Sequence, residues 1–548
     1  MKFGTRLWSL GVFIFLAGLI STTTGCRSKQ EPSPSGLDKT PDTPVPGGMA
    51  VVALSSEPDV LNPLIRRSAV AGRVLAEILD TLTEVDEGLN NVPRIADSWE
   101  LSSDRLTILY HLRPWRWQDG TALTAQDVVA TFNLYKSEII ASPSRGFYRD
   151  VESARVVGEN SVEYHFSRPL PDPVSRTSHQ ILPAAILAKL DPNQVDVWEL
   201  NRSPVSSGPF RFVSWDYSRA LTLERNELYS GTPALLDRVV FRIIEEPATR
   251  LFALEAGEVD FVGDIAPHEA QRIRENPDLE VMTTDGRKYY HLLWNCRNPV
   301  FEDALTRRAL GMAIDRSRMI QTLLGGLAEP AVSPVARVAW NHADGMVPDP
   351  YDPNQTSSLL AEAGWKDIDG DGVLERGGYR LEFEILTKQS DPVRREGVVI
   401  LRENLNRVGA QVNIKILEGA AGWELVRGGK FDAYFGAIIP NLFGDPSSTI
   451  HSDAYDQYNN GFYSNSKVDS LLEAAKGELD NEVALPLWVE LQTLLQEDPP
   501  AAYLFCPQRL DGVSKRIREV RPHVLSPINN LAEWWISPED RKYLTKRH

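Results

Sequence analysis

Between Leu106 and Leu112 every second side chain is apolar (Leu106, Ile108, Tyr110, Leu112), the period of a strand with one buried face. Asp119-Gly120 then offers the positive φ of a tight turn, and Thr124 with Asp127 three residues on has the pattern of a capping box. Together they predict a two-strand unit feeding a helix over Ala125–Lys136. Upstream, Met49–Leu54 is a short apolar run that reads as a strand, followed by a loop broken at Pro58 and Pro63. Downstream, 151–169 reads as two strands turning at Glu159-Asn160, 183–190 as a short helix, and Gly208-Pro209 as a rigid turn between hydrophobic strands.

In the second half, Gly257 suits the left-handed position that ends a helix. Residues 303–316 carry an apolar stripe at Leu305, Ala309, Leu310, Ala313 and Ile314, which predicts one helix. Strand patterns at 381–386 and 412–417 flank a helical 393–408 closed by Gly409, a βαβ unit. A strand at 431–439, a helix near 486–496 and strands near Tyr503 and Val513 follow. Strands and helices mixed in this way predict an α/β fold.

Length turns this into more than one core, because 548 residues predict two or three lobes. A balance of 58 basic to 75 acidic side chains gives a formal charge of -17, which repels phosphate backbones, and no basic stripe offsets it. A nucleic-acid partner is therefore not expected. Lys2 and Arg6 precede an apolar stretch, 7–20, that is short for a membrane span and reads as a secretory signal. Residues 27–48 are Ser, Pro, Lys, Asp and Gly with almost nothing to bury, the composition of a flexible tether.

Candidate chemistry is sparse. His268-Glu269 opens like a zinc-protease motif, but Arg272 stands where the second His belongs, and neither a Gly-x-Ser-x-Gly elbow nor a phosphate-cradling glycine loop occurs. A binding module is expected rather than an enzyme. Asp367, Asp369 and Asp371 alternate as at the opening of a calcium loop, yet position 12 is Gly378, so no metal site is expected there. Arg66 and Arg67 stand on a loop where they would meet an anionic ligand group or solvent. Three cysteines are too few for a disulfide framework, and none has Cys-x-x-Cys spacing.

The order of residue types goes further than periodicity. Pro93-Arg94-Ile95-Ala96-Asp97-Ser98-Trp99, Ser102-Ser103-Asp104, Tyr110-His111-Leu112-Arg113, Trp117-Gln118-Asp119-Gly120 and Leu123-Thr124-Ala125-Gln126-Asp127-Val128 occur in sequence. This run resembles the signature of the family 5 extracellular solute-binding proteins, the dipeptide and oligopeptide receptors of ABC importers. Ser207-Gly208-Pro209-Phe210, Leu254-Glu255-Ala256-Gly257-Glu258-Val259-Asp260 and Asn460-Gly461-Phe462-Tyr463 resemble later parts of the same pattern. Thr23-Thr24-Gly25-Cys26 resembles a bacterial lipobox, which implies a signal peptide over 1–26 and lipid attachment at Cys26.

The resemblance implies a two-lobed, periplasmic-binding-protein-like α/β fold of type II with an extra small domain and a hinge. Lobe I would take 49–85, 200–293 and 510–548, the small domain 86–199, and lobe II 294–509. It implies a monomeric receptor without cofactor, in the periplasm or lipid-anchored on the outer face of the cytoplasmic membrane. Such a receptor captures a peptide or similar solute between its lobes and delivers it to ABC permease subunits. The strand residues Gly436, Ala437 and Ile438 would pair with an extended ligand, with Asn441 and Asp445 beyond them and Trp340, Trp423 and Trp534-Trp535 as cleft aromatics. In the peptide-binding members an Asp shortly before the Asp-Pro step holds the α-amino group. The matching window, Ile439-Pro440-Asn441-Leu442-Phe443-Gly444, holds no acid. That leaves open a longer or blocked peptide, an oligosaccharide, a metal chelate or another solute, and an exported sensor or enzyme on the same fold is the alternative class. Cys296 and Cys506 fall near the implied crossings between lobes, as a disulfide or as two buried thiols.

Overall fold

Met49–Leu54 is apolar at every position because both faces of the strand are covered: Ala50, Val52 and Leu54 enter one core and Val51 and Ala53 another. The computed structural model describes residues 43–440, 442, 444–455 and 457–541. The strand lies in the middle of a seven-stranded sheet in the order Phe210–Asp216, Ala220–Arg225, Arg238–Ile243, Met49–Leu54, Phe261–Val262, Arg509–Ser514 and Leu279–Thr284. Its two contacts are parallel and the outer ones antiparallel. Helices Pro247–Glu255 and Pro267–Glu275 cover one face.

Ile108 and Tyr110 are buried in Thr107–Leu112, one strand of a four-stranded antiparallel sheet with Ala96–Leu101, Ser161–Phe166 and Val151–Val157. The following helix is Ala125–Lys136, and Asp127 Oδ2 accepts the Thr124 N–H at 2.6 Å. One hydrophobic cluster runs unbroken from this small sheet into the seven-stranded sheet. Residues 86–199 therefore share lobe I's core instead of forming a domain with a core of their own.

The second sheet has the order Ala328–Pro330, Ala501–Pro507, Tyr289–Trp294, Ala433–Ile438, Glu382–Lys388 and Gln411–Leu417. Glu382–Lys388 and Gln411–Leu417 are parallel and joined by helix Pro392–Asn406, the βαβ unit of the sequence pattern. Residues 303–316 are not one helix. The stripe breaks between Ala304–Met312 and Arg316–Leu324, because the Asp315 side chain accepts the Arg318 N–H and so caps a new helix. These helices and Pro392–Asn406 bury one face of the sheet.

The chain crosses between the two large sheets between Thr284 and Tyr289, and again between Pro507 and Arg509. The outgoing boundary expected at residue 293 thus moves upstream, since all of Tyr289–Trp294 pairs within the second sheet. The crossings touch: a Cβ on Gly286 would lie 2.1 Å from the Pro507 carbonyl oxygen. Only glycine permits that approach.

Residues 44–48 are not tether. The Gly47 N–H bonds to the Leu235 carbonyl at 2.7 Å, and Arg541 donates to the carbonyls of Val45 and Pro46. Residues 27–42 of the expected tether, Cys26 and the signal lie outside the described residues. Among the described residues no helix is long and apolar enough to cross a membrane.

Candidate ligand cavity

Side chains of one parity on Tyr289–Trp294 (Tyr289, His291, Leu293) point away from the helix-covered face of the second sheet, toward a cavity of about 450 Å³. Tyr434, Ala437 and Ile438 from the neighbouring strand and Ala501 and Tyr503 from Ala501–Pro507 share that floor. Trp423 closes one wall from helix Gly419–Arg427, and Pro440, Asp445, Pro446 and Tyr458 close another. The volume is that of a small-molecule site, on the order of 300–1,000 Å³. Tyr458 and Ile439 at the rim are 59% and 66% exposed, large apolar surface left for a ligand to cover.

Gly436 does not line the cavity but shapes it. It pairs with His291 across the strands, and a Cβ there would sit 2.6 Å from the Tyr434 ring and 3.1 Å from His291 Cε1. The missing side chain lets both rings lie over the strand. Beyond Phe435, the strand Ala433–Ile438 outruns its parallel neighbour, whose pairing stops at Thr387. Gly436, Ala437 and Ile438 therefore have a strand partner on one side only among the described residues.

The electrostatics are set by burial. His291 is 4% exposed, its Nδ1 has no hydrogen-bond partner among the described residues, and burial with Arg394 nearby pushes its pKa down to about 3. Behind the cavity, Arg394 donates to the Tyr434 hydroxyl at 3.0 Å and pairs with Asp391 at 3.0 Å. Lys288 donates to the Tyr290 hydroxyl at 2.6 Å, and burial lowers its pKa against the pull of Asp391. Asp445 is the lone acid of the wall among the described residues. Its Oδ1 accepts the N–H and hydroxyl of Ser447 at 2.9 and 2.5 Å, so it is held against the first residue of the short helix Ser447–Ile450.

Of the residues singled out in the sequence, Trp423, Ala437, Ile438 and Asp445 line this cavity, and Asn441 lies outside the described residues. Trp340 is half-exposed and not in the lining; the next residue, Asn341, instead donates to the Gly444 carbonyl at 3.0 Å. Trp534 and Trp535 are buried in the first lobe, Trp534 against Phe261, because they belong to its core and not to a cleft. Arg66 lies against helix Ala69–Ile78 at Gly72, and Arg67 is exposed with its N–H held by Asp59. Neither reaches the cavity lining. Tyr289, His291 and Tyr503 were not singled out, although the parity of Tyr289, His291 and Leu293 on one strand was there to read.

Cys296 and Cys506 are both free thiols. The antiparallel register sets Phe505 opposite Tyr290, so Cys506 falls opposite Tyr289, seven residues from Cys296 along the strands, roughly 23 Å, far beyond the ~7 Å Cα limit of a disulfide. Burial pushes their pKa values up to about 11 and about 12. In the acidic turn, Asp371 is turned away to Arg380 at 2.6 Å, and it is Asp367, Asp369 and Glu375 whose carboxylates lie within 4.8 Å. Asp367 accepts the N–H groups of Gly370 and Gly372, which hold φ values of +79° and +90°. The run is a turn built by its own backbone.

With fold and cavity in place, comparison with known proteins decides the family. The profile described as "Bacterial extracellular solute-binding proteins, family 5 Middle" matches residues 90–461. The chain belongs to this family. It is 27% identical over 544 residues to the oligopeptide-binding protein AppA of Bacillus subtilis, spanning 97% of this chain and 99% of that one. The structure of AppA in complex with a nonapeptide superposes with a TM-score of 0.73 at 26% identity, covering 90% of this chain and 100% of the other. The heme-binding protein A of Haemophilus influenzae is 24% identical over 467 residues, 77% of this chain and 80% of that protein. NikZ of Campylobacter jejuni in complex with Ni(L-His) shares the fold, with a TM-score of 0.74 at 24% identity over 89% of this chain and 99% of that one. The two-lobed binding-protein fold of this family 5 member follows, whereas its relatives bind unlike ligands.

Proposed function

We propose that this protein is the substrate-binding component of an ABC importer, that it is not an enzyme, and that it captures a peptide against the strand Ala433–Ile438. The observation that carries the reading is the half-paired strand end at Gly436–Ala437–Ile438, beside a cavity rimmed by exposed apolar side chains. Backbone N–H and C=O groups on such an edge bind an extended chain whatever its sequence, and the cavity takes a side chain. Likeness to AppA over nearly the whole chain supports the same ligand class. Asp445 is engaged with Ser447, so we infer that the peptide's amino terminus is held elsewhere or is not read.

Cys26 carries a lipid in this reading, the descendant of the lipobox-like Thr23-Thr24-Gly25-Cys26. The protein then works at the outer face of the membrane beside its permease, as a monomer. Native mass spectrometry of protein never exposed to denaturant tests the ligand: co-purified peptides of mixed sequence are expected. A single non-peptide mass would replace the ligand class and leave the receptor role standing.

A further inference from the structure

The imidazole of His291 is the unusual group of the cavity. It is more than nine-tenths buried, it lines the cavity floor, and among the described residues its Nδ1 has no hydrogen-bond partner. Buried polar groups are paired in the great majority of cases, so an imidazole that lines a ligand site with no protein partner among the described residues marks where a ligand atom is to bond. Its surroundings are rings: Tyr289 lies 5.5 Å away between centroids, Tyr503 packs on Tyr289 at 5.7 Å, and the absence of a side chain at Gly436 lets the imidazole and the Tyr434 ring lie against the strand. Among the described residues the lining contains no Lys or Arg, and its one carboxylate is Asp445. A ligand carboxylate would find repulsion there, and an aliphatic group would leave the imidazole unpaired.

We propose that this cavity takes an aromatic ring bearing a hydroxyl, the side chain of a tyrosine where the ligand is a peptide, and that His291 is the specificity-determining partner of that hydroxyl. A neutral imidazole offers one donor and one acceptor nitrogen, and a phenol can serve either because it both donates and accepts. An indole N–H serves only the acceptor, and phenylalanine serves neither. The aromatic walls meet the ring and the imidazole meets its polar edge.

The inference rests on the reading of this cavity as the ligand site, but not on the ligand being a peptide, so small probes test it separately. The purified full-length chain, labelled with ¹⁵N at its nine histidines, is titrated with p-cresol and with toluene, which differ by the hydroxyl. The expected result is a shift of the His291 ring nitrogens with p-cresol, assigned by their absence in His291→Leu. That variant should lose about tenfold in p-cresol affinity with toluene binding unchanged or tighter, the worth of about one hydrogen bond. His291→Asn, which keeps a hydrogen-bonding group, should retain part of the preference. Equal losses for both probes in His291→Leu, or no binding of either to the unaltered protein, would overturn the proposal. Mixed peptides in the native spectrum together with no cresol binding would sink the tyrosine preference and spare the peptide reading; the converse result would do the reverse.

Discussion

Two buried acids behave differently because of what stands beside them. Asp260 is buried against Arg516, whose Nε and Asp260 Oδ1 lie 2.6 Å apart, and its Oδ2 also accepts the Val51 N–H at 2.8 Å. Asp260→Ala would strand a buried guanidinium, so a loss of about 3–5 kcal/mol is expected by urea unfolding. A loss under about 1 kcal/mol would show that the guanidinium finds another partner. Glu77 is buried, and its pKa is raised from 4.5 to about 8, chiefly by burial, with Arg94 opposing and Asp80 adding to the rise. Since the folded value exceeds the unfolded one, the stability linked to its proton is present in full below pH 4.5 and is lost as pH rises through 8. Across that window the loss is on the order of 5 kcal/mol. In Glu77→Gln the decline should largely disappear, and an unaltered slope of unfolding free energy from pH 5 to 9 would contradict the assignment.

Helices here start where side chains stop them from starting elsewhere. Asp127 accepts the Thr124 N–H with one oxygen, while the other takes the Ala184 N–H at 2.7 Å, tying helix Ala125–Lys136 to the next one, Ala184–Leu187. Asp127→Ala removes cap and tie together, and a cost of about 2 kcal/mol is expected, with Asp127→Asn recovering part of it. Hydrogen exchange should quicken first in 125–136, and uniform quickening would count against the local account. The capping pattern was legible in the sequence because it is local. The break at Asp315 was less so: periodicity ran through it, and beside its own cap it is held by Asn404, from a distant helix, accepting the Asp315 N–H at 3.0 Å.

At the scale of the molecule, the two large sheets are joined where Gly286 meets Pro507. Lobes of this fold close on a ligand by small backbone changes at such crossings. Gly286→Ala forces a Cβ onto the Pro507 carbonyl oxygen and should cost about 1–3 kcal/mol. It should also shift the small-angle scattering of the ligand-free protein relative to the unaltered chain. Identical scattering and stability would mean that the crossings part freely. The ion pairs near this junction, Lys288–Asp391 and Arg73–Asp264, are long, at 3.7 and 3.8 Å, and partly exposed, so little stability is ascribed to them.

The sequence by itself determined the α/β class, most strands and helices, the turn at Asp119-Gly120 and the family, because those rest on periodicity, capping and residue order within short stretches. It also pointed to Trp423, Ala437, Ile438 and Asp445. Tertiary structure alone decided that Trp534 and Trp535 are core, that Cys296 and Cys506 stand at opposite ends of paired strands, and that the small sheet shares its core with the first lobe. It also decided that His291 faces the cavity unpaired. Each of these depends on which strands become neighbours and in what register, and contacts between residues far apart in the chain leave no period in the sequence to read.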